Sequence, residues 1–417
     1  MVCACPTSAD DMVIISNVKR GLDDLLDVCF HHAGKERYYY NPSKCKVLVF
    51  NENKKSPRTW KLGDYLINES DSYNHLGILC NKQLNINENI SESCHKLRKT
   101  FFSVTNCGIG KNGLNPITSI RIYETKVLSA ALYGSELWSG VTSNQLLPLE
   151  RIHRQCIKWI QGVPKESRTD IALSCLGIQP IQNFIDSKKL AFLCQLCHAD
   201  PNMKIKKVFV NRLLSFISQP IKAQGFIPDI YSILGKYELT SYLTEFSKSS
   251  VFPNKFVWKR ICKSAIDEHV TKSWKSRVHN DENLKLFSLF HSNYEFCLIW
   301  RFLKSFPVYK KQCFSMFGLL CKFFARKYFI TCYHCNAVTN EIVLHKVFFC
   351  PYFENERCRL WSKLINLLGE EHFRRLILLN LNHQLVEMLR GFTNLDITDE
   401  CRIQCFIVVS NFAKNIN

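Results

Sequence analysis

Thr7-Ser8-Ala9-Asp10-Asp11-Met12-Val13-Ile14-Ile15-Ser16 places two adjacent carboxylates between apolar segments. Val2 to Pro6 precede the pair and Met12 to Ile15 follow it, so the stretch reads as two strands meeting at an acidic turn. Neighbouring carboxylates repel each other and give a fold little. Hard Mg²⁺, however, takes carboxylate oxygens together with substrate phosphates. A nucleotidyl-transfer site uses such a platform to hold two metals about 3.5–4 Å apart over the attacking and leaving oxygens. Asp10 and Asp11 are therefore candidate catalytic residues and Mg²⁺ ligands, with a solvated turn as the alternative reading.

Working outward, Leu22, Leu25, Leu26, Cys29, Phe30 and Ala33 recur at helical spacing and predict an amphipathic helix closed by Gly34. Cys45 to Phe50 reads as a short buried strand and Tyr73 to Cys80 as another, which makes residues 1–80 a small mixed α/β piece. Beyond residue 82 the pattern turns helical. Asn115-Pro116 starts one helix towards Tyr133-Gly134. A second carries Leu149, Ile152, Cys156, Ile157 and Ile160 and stops at Gly162 with Pro164 beyond. Lys188 to His198 gives a third. Scattered Pro and Ser after residue 200 suggest a boundary near 205, and no internal repeat is visible.

The chain has 417 residues, with Lys+Arg 55 against Asp+Glu 36 for a net charge of +19. That length predicts two to three domains, and a hydrophobic fraction of 46% excludes disorder along the whole chain. Gly 16 and Pro 13 disfavour turn-dense all-β architectures and leave helices as the default. The positive excess favours a polyanionic partner, nucleic acid ahead of an acidic membrane surface. Twenty-one irregularly spaced cysteines without an export signal argue for reduced thiols, hence an intracellular protein, nuclear or cytoplasmic and not secreted. No apolar run reaches the roughly 18 uncharged residues of a membrane span.

The segment 301–330 concentrates this charge: Arg301, Lys304, Lys310, Lys311, Lys322, Arg326 and Lys327 occur with no acid among them. Phe302, Phe306, Tyr309, Phe314, Phe317, Phe323, Phe324, Tyr328 and Phe329 are interleaved with the cations. Lysines for phosphates and rings for bases are what a nucleic-acid groove uses. The competing reading is a basic helical pair whose rings form core.

Directly after it stands Cys332-x2-Cys335-x9-His345-x4-Cys350. A Cys-x2-Cys turn presents two thiolates to one tetrahedral ion, and a His-x4-Cys pair closes the shell from a following turn, so these four are candidate zinc ligands. The helix expected through Leu360, Trp361, Leu364, Leu367 and Leu368 to Gly369 would support them. His334 is a possible substitute ligand and Cys358 a spare thiol. Ordinary buried cysteines are the alternative. A closed four-ligand shell predicts a structural role, not hydrolysis. Cys194-x2-Cys197-His198 matches a haem-attachment string by chance, and His31-His32 reads as a helix end.

Three of these motifs, taken in order, resemble the second half of the reverse transcriptase palm of non-LTR (LINE-type) retrotransposons. Ala9-Asp10-Asp11 resembles the family's metal-binding hairpin. Asn41-Pro42-Ser43-Lys44-Cys45-Lys46 resembles the next palm motif, whose lysine lies near the incoming nucleotide, here Lys44, with Lys46 on the nucleic-acid side. His75-Leu76-Gly77 resembles the primer-grip strand, which makes His75 and Gly77 candidate nucleic-acid contacts. Leu97 to Ser103 and Val127 to Trp138 resemble the thumb, including its Leu-Tyr-Gly-x-Glu-x-Trp signature, although Leu132, Tyr133 and Trp138 are expected in core. Arg151 to Pro164 resembles the post-thumb region, and the Cys-Cys-His-Cys spacing resembles the motif found C-terminal to the polymerase in these elements. The likeness covers residues 3–200 well and 200–330 poorly.

Together these readings predict an α+β chain. A partial polymerase palm (1–80) is followed by a helical thumb and post-thumb region (81–205), a basic, aromatic-rich connector (206–330) and a zinc module with C-terminal helices (331–417). The resemblance implies an RNA-directed DNA polymerase with Mg²⁺ and Zn²⁺ as cofactors and an RNA template and DNA target or primer as partners. The connector adds Lys310, Lys311, Lys322, Arg326 and Lys327 as candidate phosphate contacts. Ser8 stands where the family usually has an aromatic. The fingers and first palm aspartate of the family would lie upstream of residue 1, so the chain alone is expected to be inactive. The rival expectations are a non-catalytic, zinc-containing nucleic-acid-binding protein and a functionless element remnant. Oligomeric state is left open.

Overall fold

In the computed structural model, which describes residues 7–8, 11–51, 58–111, 113–220, 225–325 and 328–416, the chain falls into two units, Met1–Glu92 and Ser93–Asn417. It is α+β and mostly helical.

Three small sheets organise the first unit. Strands β1 (Thr7–Ser8) and β2 (Asp11–Met12) pair antiparallel with Ser8 opposite Asp11, so Asp11 belongs to a strand and not to the expected acidic turn, while Asp10 and residues 2–6 lie outside the described residues. The helix Lys19–Lys35 buries Leu26, Cys29 and Ala33 at the expected spacing. Its end differs from expectation. Gly34 lies in the last turn, the Glu36 N–H returns to the His32 carbonyl, and Arg37 adopts the left-handed φ of 59° that stops the helix.

Leu26 packs with Val47, Trp60, Leu62 and Ile67. These residues come from β3 (Lys46–Val47), β4 (Trp60–Leu62) and β5 (Tyr65–Glu69), in the order β3-β5-β4 with β3 parallel and β4 antiparallel to β5. Gly63 makes the β4–β5 turn at φ 58°, where a Cβ would lie 2.4 Å from the Phe30 ring. Tyr73 to Cys80 is not one strand. It forms a hairpin of β6 (Ser72–His75) and β7 (Ile78–Asn81), because Leu76 and Gly77 take φ 49° and 75°, the two-residue turn that matches strand twist.

The second unit is built of helices. Asn115 caps Pro116–Ile122 by accepting the Ile117 N–H at 2.8 Å, and the turns continue through Tyr123–Leu128 and Ser129–Ala131. The helix Ser143–Ile160 stops where Gly162 reaches φ 66°, ahead of Pro164, as its sequence predicts. Leu132 and Trp138 are core as expected, whereas Tyr133 is 55% exposed. The third expected helix is longer, Ile181–His198.

One apolar cluster joins Leu190 and Leu193 to Phe209, Ile230, Leu234, Trp258 and Val270, so it runs across residue 205 without a break. Beside it sits a buried polar network. Asp186 accepts hydrogen bonds from Tyr237 Oη at 2.7 Å, Lys236 Nζ at 2.8 Å and Gln182 Nε2 at 2.7 Å. Asn183 Nδ2 donates to Tyr237 Oη at 3.0 Å, and Lys189 pairs with Asp229. Burial first, and Asp186 second, push the Tyr237 phenol well above its ordinary pKa.

Candidate metal centre and the basic helices

The most concentrated set of chemistry-bearing side chains is built on a short hairpin. Strands β8 (Ile330–Thr331) and β9 (Val338–Thr339) pair antiparallel. Between them the Cys332 N–H donates to the Ala337 carbonyl at 2.8 Å and the Asn336 N–H to the Cys332 carbonyl at 2.7 Å. Asn336, at φ 57°, folds the loop back on itself. The tight loop brings Cys332 and Cys335 to one side.

The other two ligands come from a turn. Ile342–Leu344 runs into the wider turn His345–Phe349, and Cys350 then leaves the helical path with its N–H donating to the His345 carbonyl at 2.7 Å. Pro351–Phe353 and the helix Glu354–Ile377 follow. That helix is the expected support, but it resumes after Gly369, whose φ 75° and ψ 162° kink it instead of ending it. Arg357 donates to the Cys350 carbonyl at 3.2 Å and fixes the ligand's backbone from the helix.

The four ligand atoms lie within 4.8 Å of one another. Cys335 Sγ is 3.1 Å from His345 Nε2, and Cys332 Sγ is 4.0 Å from Cys350 Sγ. In a tetrahedron with Zn–S near 2.3 Å the sulfurs stand about 3.8 Å apart. The set can therefore hold a metal ion with small adjustments, and three thiols with one imidazole are compatible with zinc. Cys332 and Cys350 are buried at 1% and 0% exposure, and Cys335 and His345 are half-buried. Four protein donors would fill a tetrahedral shell and leave no position for water, as a structural site requires.

Burial raises the Cys332 thiol. The His334 and Cys335 N–H groups, with the Cys335 and Cys350 thiols, outweigh it and hold its pKa below the ordinary value, the direction that favours the metal-binding thiolate. Cys350 goes up, through burial and the neighbouring Cys335 and Cys332 thiols against the Tyr352 N–H. His334 and Cys358 are not ligands in this cluster. His334 instead lies between two tyrosine rings, 4.1 Å from the Tyr333 centroid and 4.4 Å from that of Tyr352. Spacing had not singled out this stack. The signal for it was the Tyr-His inside the Cys-x2-Cys loop and the Pro-Tyr after the last ligand.

The basic stretch divides into the helices Leu298–Ser305 and Lys310–Phe323. Its rings mostly face inward, as the competing core reading expected. Phe302 stacks on Phe406 at 4.1 Å, Phe314 and Phe317 pack on Trp300, and Phe324 on Phe287. Trp300 Nε1 donates to Gln161 Oε1 at 3.1 Å, which ties these helices to the end of Ser143–Ile160. Only Tyr328 and Phe329 among the nine rings stay largely exposed, at 62% and 79%. Lys311 and Lys322 reach solvent and Lys310 is half-buried, while Arg326 and Lys327 lie outside the described residues. Burial first, then the Lys346 and Lys111 ammonium groups, lower the Lys322 pKa.

The remaining candidates sit in the first unit. Asp11 is exposed on β2, and Asp10 lies outside the described residues. Lys44 and Lys46 are exposed, Lys44 in a turn where its N–H donates to the Asn41 carbonyl at 3.0 Å and Lys46 on β3. His75 ends β6 and Gly77 makes the adjoining turn. Among the described residues, the Cys332 cluster is the one group of three or more His, Cys, Asp or Glu able to hold an ion. Cys194 and Cys197 are buried in the helix Ile181–His198, and His198 Nδ1 meets the Cys194 carbonyl at 2.9 Å, so the haem-like string is helix packing. No helix is long and apolar enough to cross a membrane among the described residues. No known protein family, curated protein or solved structure matches the chain.

Proposed function

We propose that the chain is a zinc-stabilised fragment of a LINE-type reverse transcriptase, inactive as a polymerase on its own, that binds RNA template and DNA target. The observation that carries this reading is the convergence of Cys332, Cys335, His345 and Cys350 on one point, with the ligand order and spacing that the resemblance implies. A Cys₃His donor set suits zinc. Asp10 and Asp11 are assigned to Mg²⁺, Lys44 to the incoming nucleotide, and the +19 charge to phosphate contacts.

A second reading is a zinc-containing nucleic-acid-binding protein without catalysis, which needs only the four converging donors and the positive charge of the chain. Primer extension on a homopolymer RNA template with Mg²⁺ is expected to give no synthesis with this chain alone under either reading, whereas templated synthesis abolished by Asp10→Asn would rule out the binder. Both readings require binding that weakens steeply as salt rises from 50 to 200 mM. A chain that ignores RNA and DNA at 50 mM salt refutes both.

A further inference from the structure

The rings around the metal cluster are arranged differently from those in the basic helices. Tyr333 and Tyr352 are 78% and 66% exposed, yet they are ordered side by side with His334. His334 is tilted 32° from Tyr333 and 24° from Tyr352. Tyr333 and His334 come from the Cys332–Cys335 loop and Tyr352 from two residues beyond Cys350, so the two ligand-bearing segments meet through this stack. Phe302 and Phe317 pack inward, whereas these rings are grouped at the surface, and it is the grouping with a cation that points to a ligand.

A cation lies alongside. Lys346 Nζ sits 5.7 Å from the Tyr333 centroid and 5.8 Å from that of Phe353, within cation–π range, and is fixed there by donating to the Ile416 carbonyl at 2.9 Å. Lys346 is thus a cation held beside the exposed rings. Flat exposed rings next to a fixed ammonium group match single-stranded nucleic acid, whose phosphates take the cation and whose bases offer π faces that a duplex hides.

We infer that Tyr333 and Tyr352, held by the His334 ring stacked between them, offer their outer faces as a stacking platform to the bases of single-stranded nucleic acid, with a phosphate on Lys346 beside them. This deepens the nucleic-acid reading above and rests on it. Since metal ligation positions both ring-bearing segments, single-strand binding depends on the metal, while duplex binding elsewhere on the basic surface does not require the rings.

The test is fluorescence anisotropy of the full, zinc-loaded chain with labelled 12-nucleotide oligo(dT), oligo(U) and a 12-base-pair duplex. Wild type is compared with Tyr333→Ala, Tyr352→Ala, the double variant and the double Tyr→Phe variant, each with its zinc content measured. Loss of one stacking ring weakens binding roughly 5- to 150-fold. The expected result is such a loss for each alanine variant on single strands, a larger one for the double, little change on duplex, and near-normal binding by the phenylalanine pair. Alanine variants that keep zinc and bind single strands within threefold of wild type overturn the platform while leaving the nucleic-acid reading standing. Equal loss on single strands and duplex also overturns it. A wild-type chain that binds neither form overturns both readings together.

Discussion

Cys350→Ala removes one of four ligands at the most buried point of the candidate centre, and its effect can be worked out from the geometry. Cys350 is fully buried, and its sulfur lies 4.0 Å from that of Cys332. Because all four ligand atoms already stand within 4.8 Å, little of the binding energy is spent on rearrangement. Structural zinc in small four-ligand modules is bound by about 10–16 kcal/mol, so one ligand in four carries about 3 kcal/mol, or roughly a 150-fold change in affinity. The neighbouring Cys358 provides the control: it is exposed on the helix Glu354–Ile377 and outside the cluster.

Competition against a chromophoric chelator on the full chain is expected to show about two decades of weakening for Cys350→Ala and none for Cys358→Ala. Amide exchange should rise across residues 328–353 in the Cys350 variant, because the hairpin β8–β9 has only two-residue strands to hold it without the ion. Wild-type zinc affinity within threefold in Cys350→Ala, with unchanged exchange, would refute the reasoning.

Other consequences follow from the buried groups. His153 donates from Nε2 to the Gln179 carbonyl at 3.0 Å and its Nδ1 meets Tyr123 Oη at 2.8 Å, and burial holds the imidazole pKa below its ordinary value, as it does for His291. Unfolded imidazoles protonate near pH 6.5, before the folded ones. Their contribution is therefore intact above about pH 6.5 and lost as pH falls below it, by up to about 1.4 kcal/mol per pH unit for each histidine. Melting temperatures should drop between pH 7 and 5, less steeply in His291→Gln, and a flat profile would contradict this. Gly63→Ala forces a side chain into φ 58° against the Phe30 ring; the backbone alone costs about 1 kcal/mol, so amide exchange across 58–69 should accelerate, and unchanged exchange argues against the packing described. Asp186→Ala leaves buried Tyr237 and part-exposed Lys236 without their acceptor, and should cost about 3 kcal/mol in urea unfolding, with a loss under 1 kcal/mol counting against the network.

Some of the fold could be read from residue order because it is fixed locally. Asn115-Pro116 and Gly162 with Pro164 act through backbone geometry that needs no distant partner, and the helices they bound stand where their sequence puts them. The metal ligands were legible for a related reason: one ion fixes the spacing that four donors can have, so order and spacing alone pointed to the residues that converge. Distant partners were invisible. Phe302 and Phe314 share their spacing with a nucleic-acid groove, and what makes them core is Phe406 and Trp300, reached only in three dimensions. The Tyr73 to Cys80 hairpin was missed because its turn depends on Leu76 accepting a positive φ that aliphatic residues rarely adopt. The β4–β5 hairpin was missed because Trp60 to Glu69 alternates only partly, so that Gly63 was its one strong signal. The Tyr333, His334 and Tyr352 stack arises only once the ligand loops have met.

The most direct test of the central claim is the metal content of the full chain purified in reducing buffer without added metal, read by native mass spectrometry alongside elemental analysis. The account predicts one zinc ion per chain, lost together with order in residues 328–353 when a strong chelator is added. A metal-free chain whose Cys332 to Cys350 segment is equally protected with and without chelator would contradict it.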